Sequence, residues 1–152
     1  MKKFQVNYIR YGLIMSTVLL ICLALMHLTG QYSSFEKGGP LDILFILSPF
    51  VVWYLGLRAK KKQLKNKMTF KQGWVEGIKI ATVFAVISPL IFMFYYLGFN
   101  PGILVYVGNS YGLLGASKTT VIVVDMVAQL VGSLVMGTMY SAILAFFMKS
   151  KV

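Results

Sequence analysis

The sequence predicts an all-α polytopic membrane protein: four transmembrane helices in one antiparallel bundle, with the N- and C-termini both in the cytoplasm. Three observations carry the prediction. The 152 residues are 58% hydrophobic and 12% charged, with a mean hydropathy of +0.76, too apolar for a soluble domain of this size. The apolar residues gather into runs long enough to cross a bilayer. The cations collect between those runs, most densely in Arg58 to Gly77, RAKKKQLKNKMTFKQGWVEG.

The first span is predicted over residues 8–28, behind Lys2, Lys3 and Arg10. Its apolar core exceeds the roughly 7 to 15 residues of a signal peptide, and no small-residue cleavage site follows, so it is read as retained. Residues 29–40, TGQYSSFEKGGP, form a polar loop closed by Gly38, Gly39 and Pro40. The second span, 41–57, is near the lower length limit for a crossing, with Asp42 suited to its first turn and Trp53 and Tyr54 placed like an interfacial belt. A basic cytoplasmic loop is expected over 58–72, carrying Arg58, Lys60, Lys61, Lys62, Lys65, Lys67 and Lys71. The third span, 73–98, begins at Trp74 and ends at Tyr95 and Tyr96. It is longer than one crossing needs, so it tilts or lays its first turns among the headgroups. Residues 99–120 are cut by glycines and Asn109 and contain no stretch long enough to span, which predicts an outer interfacial segment. The fourth span is expected over 126–148.

With four spans, the termini and the basic loop share one side, leaving Lys37 and Lys118 on the other. The positive-inside rule then places that basic side in the cytoplasm, and a fifth crossing would put the closing lysines outside. The formal charge of +11 sits in short gaps rather than on a folded soluble surface, so anionic lipid headgroups are its expected partner and nucleic acid is not. Cys22, the single cysteine, lies within an apolar run and is expected to pack there.

Few residues suggest chemistry. Ala128, Gly132, Ser133, Gly137 and Ser141 recur near helical spacing in the last span, as a packing seam for close helix approach within the bundle or between copies. Glu76 and Lys79, three apart on the third helix, form a possible intramembrane ionisable pair, with Lys71 as another partner for the carboxylate. Pro49 and Pro89, each after a serine, are expected to kink their helices. His27, Glu36, Asp42 and Asp125 fall on the outer side, but no spacing joins them into a metal site, and neither metal nor cofactor is expected.

Tyr11-Gly12-Leu13-Ile14, the Lys-rich gap, Met68-Thr69-Phe70-Lys71-Gln72-Gly73 with Gly77 beyond, Asn100-Pro101-Gly102, and the closing Gly132-Ser133-Leu134 through Gly137, Ser141 and Ala142 to Lys149 resemble the DUF4199 family. The resemblance implies a four-span bacterial inner-membrane protein with no assigned activity and no catalytic residues to carry over. Family members often bear a charged helical stretch after the third span, where this chain has the apolar Ile103 to Val107.

The expected role is that of a non-enzymatic structural or accessory membrane component, as a homo-oligomer or on a larger membrane partner. Neutralising Lys60, Lys61 and Lys62 should then alter topology or lipid preference and leave the fold intact. The alternative is a small oligomeric transporter or channel, with Glu76 as coupling group. It requires a polar, water-wide void reaching Ser48 and Ser88, where the accessory role requires a dry interior.

Overall fold

The computed structural model describes residues 6–30 and 40–150. These form five α-helices, with no strand among the described residues: α1 Val6–Leu28, α2 Pro40–Gln63, α3 Phe70–Gly98, α4 Ile103–Ser110 and α5 Lys118–Met148. Three of them are long and apolar enough to cross a membrane, over Asn7–Leu28, Phe70–Gly98 and Lys118–Met148.

The helices overrun the expected boundaries because helix propensity does not stop where hydrophobicity does. Arg58, Lys60, Lys61 and Lys62 continue α2 past its apolar part, and Lys71 lies in the first turn of α3. The expected basic loop of 58–72 is therefore a short turn between two cationic helix ends. α2 stops in a Schellman turn, where the Asn66 amide donates to the Lys61 carbonyl at 2.9 Å and the Lys65 amide to Lys62 at 3.1 Å. Lys65 and Asn66 take the left-handed backbone, at φ 51° and 64°, that such a turn requires. α3 starts on a capping box: the Thr69 hydroxyl accepts from the Gln72 amide at 3.3 Å and the Gln72 side chain accepts from the Thr69 amide at 2.9 Å. α5 begins at Lys118, eight residues before the expected 126, because Ser117 caps it through the Thr120 amide at 3.1 Å.

α3 is the centre of the bundle, packing against α1, α2 and most extensively α5, while α2 also touches α1 and α5. Two apolar cores stack along it. At the basic end Met15, Val52, Trp53, Leu57, Ile80, Ala81 and Leu144 join all four long helices. At the distal end Leu19, Leu23, Met26, Phe92, Ile103 and Val121 join α1, α3, α4 and α5, and no described α2 side chain takes part. α4 has eight residues, too few to span, and buries Ile103, Leu104 and Gly108 against the bundle.

Candidate functional site

Three features of the interior have chemical character: a charged cluster at the basic end, a tyrosine cluster at the distal end, and a cavity between them.

Glu76 is 2% exposed. Its Oε2 accepts from Lys60 Nζ at 3.1 Å and its Oε1 from Asn7 Nδ2 at 3.3 Å, and the Asn7 amide also donates to the Gly56 carbonyl at 3.3 Å. One carboxylate thus ties α1, α2 and α3 together. The expected pairing with Lys79 or Lys71 does not form. Both are exposed, and Lys79 turns its ammonium to the Tyr8 ring, 5.6 Å from the centroid. Lys60 reaches the carboxylate because α2 stays helical beyond its apolar part and carries the lysine over α3. Of the rest of the cationic cluster, Arg58, Lys62, Lys65, Lys67 and Lys71 are exposed and Lys61 is half-buried.

At the distal end Asp125 is 3% exposed and accepts from the Tyr96 hydroxyl at 2.9 Å and from Tyr111 at 3.0 Å. Burial, the Asp125 charge and the hydrogen bond to it push the Tyr111 phenol up to about 12. His27 Nδ1 lies 3.0 Å from the Tyr95 hydroxyl, in a separate contact. Glu36 and the Asp42 side chain lie outside the described residues, so of the four outer ionisable groups only His27 and Asp125 are placed, each held by tyrosine.

The aromatic belt expected at helix ends is largely interior. Trp53 is 2% exposed and donates its indole N–H to the Gly77 carbonyl at 3.1 Å, while Tyr95 and Tyr96 are buried. Of the second span's pair, Tyr54 alone faces outward. Phe70 and Trp74 stack with ring centroids 5.9 Å apart at the start of α3.

The small-residue seam of α5 divides in two. In its basic half a Cβ on Gly77 would meet Ser141, and one on Gly137 would meet Ala81 and Trp53, so here small residues set the helix separation. In its distal half, Ala128, Gly132 and Ser133 line a cavity of about 510 Å³ between α2 and α5. A Cβ on Gly132 would meet nothing within 4 Å. The seam faces this chain's own bundle along its packed half, and is a wall along the rest. Pro49 lies on the cavity, inside a helix that continues past it, and Pro89 is buried inside α3. The void reaches Ser48 but is not lined by Ser88, which is buried with its hydroxyl unpartnered. Glu76 is not among the lining residues either.

Several of these features left signals that the residue pattern alone did not resolve. Thr69-x-x-Gln72 is a legible capping box, whereas Asn7 lies in a polar lead-in with nothing local to mark it as a partner for Glu76. Comparison with curated proteins and with solved structures finds no match. The model of the family described as protein of unknown function, DUF4199, matches residues 10–150, and the chain belongs to that family.

Proposed function

We propose that the chain is a four-span protein of the bacterial cytoplasmic membrane, with both termini and the basic turn on the cytoplasmic side, serving as a non-enzymatic structural or accessory component. The apolar face of α5 is the observation that carries this reading. Val123, Val127, Val131, Val135 and Met139 recur every four residues on its surface and are all about half exposed. Such a stripe is stable against lipid or another transmembrane helix and unstable in water. Arg58, Lys62, Lys65, Lys67 and Lys71 cluster at one end, where each contributes about 1 kcal/mol of attraction to an anionic leaflet. In this reading α2 crosses as the fourth span through its apolar part, 41–57. The partners are anionic lipids and a second membrane protein or another copy.

Purification of the tagged protein in mild detergent, with identification of what accompanies it, tests the role. A defined partner or homo-oligomer is expected. A monodisperse single chain would remove the accessory role.

The transporter alternative needs a void that reaches both Ser48 and Ser88, and the cavity is lined by Ser48 but not by Ser88. Glu76 would not be its coupling group, because the carboxylate is ion-paired at the basic end and stands off the cavity wall.

A further inference from the structure

The void between α2 and α5 lies at the middle of two long helices, at Ser48 and Pro49 of one and Gly132 to Met136 of the other. At about 30 Å³ per heavy atom, the share of one water in its liquid, 510 Å³ holds roughly 17 heavy atoms. Packing does not demand the small residues there, since Gly132 has open space where a side chain would project.

The wall is apolar at both ends, with Met15 and Trp53 toward the basic end and Leu19 and Phe92 toward the distal end, and Gln129, Ser133 and Tyr111 add polar groups to its distal half. The Gln129 amide and the Ser133 hydroxyl, both on half-buried residues, have no hydrogen-bond partner among the described residues. None of the described lining residues is Asp, Glu, Lys, Arg or His. Tyr111 commits its proton to Asp125 and therefore offers a lone pair to the cavity, while Gln129 offers both donors and an acceptor.

We propose that this cavity binds one neutral amphiphile from the bilayer, a long-chain alcohol by class, its apolar body against Trp53 and Phe84 and its hydroxyl between Gln129 and Tyr111. A hydroxyl can donate to the Tyr111 oxygen and accept from the Gln129 amide. A carboxylate would instead face the Tyr111 lone pair with the Asp125 charge behind it. The inference rests on the bilayer placement and not on the accessory role, which co-purification tests separately.

The test uses the full chain in mild detergent. Trp74→Phe leaves Trp53 as the one remaining tryptophan, and it lies on the cavity wall. Titration with a brominated long-chain alcohol should quench Trp53 saturably, and the unlabelled alcohol should restore its fluorescence. Gly132→Leu, which fills the space, should weaken binding at least ~10-fold, and Gly132→Ala should leave it within ~2-fold. Gln129→Leu keeps the volume and should abolish the preference for alcohol over a brominated fatty acid of equal length. Quenching that rises linearly with probe and is equal in every variant would overturn the proposal. So would tighter binding of the ionised acid than of the alcohol.

Discussion

Glu76 shows how a buried carboxylate can hold three helices with few atoms. Its desolvation is offset only while Lys60 and Asn7 stay in place, so removing one partner leaves the other charge stranded. Glu76→Gln should cost about 3 kcal/mol in thermal unfolding in mild detergent, and Lys60→Met combined with Glu76→Met should recover most of it. A single-mutant cost under about 0.5 kcal/mol would mark the pair as a surface contact. The expectation that Lys60, Lys61 and Lys62 can be neutralised together without harm to the fold changes accordingly, because Lys60 belongs to the interior and Lys62 to the surface. Tyr111 carries a second prediction. Its phenol is raised from 10.0 to about 12, so the folded protein keeps a proton that the unfolded chain releases. The stabilisation is complete below pH 10 and vanishes as pH climbs through 12. Unfolding measured across that window should show an alkaline loss that Tyr111→Phe lacks. The sequence marked Glu76, Lys60 and Asp125 as ionisable, but their partners come from 14 to 69 residues away, where spacing carries no information.

Among the helices, contact distance is set by two residues at one crossing. Gly77 lets Ser141 approach the α3 backbone, and Trp53 fills the corner between them and Gly137. Gly77→Val should therefore cost about 3 kcal/mol, partly relieved by Ser141→Ala, while Gly132→Ala stays within about 0.5 kcal/mol. Equal effects at the two glycines in thermal unfolding would contradict the division of the seam. The i, i+4 recurrence of small residues was legible as a contact surface, but it looks identical where helices touch and where they diverge. Thr69 and Gln72 carry a side-chain cap signal, which the expected start of the third span at 73 passed over. The end of α2 was hidden at Lys65 and Asn66, where non-glycine residues take the left-handed backbone.

For the molecule as a whole, the helical class followed from composition and apolar runs, since lipid leaves a backbone few ways to satisfy itself. Which helix occupies the centre was not legible, because hydropathy is nearly uniform and burial in α3 depends on neighbours distant in sequence. The proposed topology predicts that reporters fused after Leu64 and after Ser110 lie in opposite compartments, and activity of both on one side would refute it. A last consequence follows from how α1 lies on α3 and α2 on α5, across the Lys-rich turn. The covalent link between residues 63 and 70 is a tether, not a strut. Two separately synthesised fragments, one supplying the first helical hairpin and the other the remainder, would meet in the bilayer and complement each other, restoring the native assembly from a split gene.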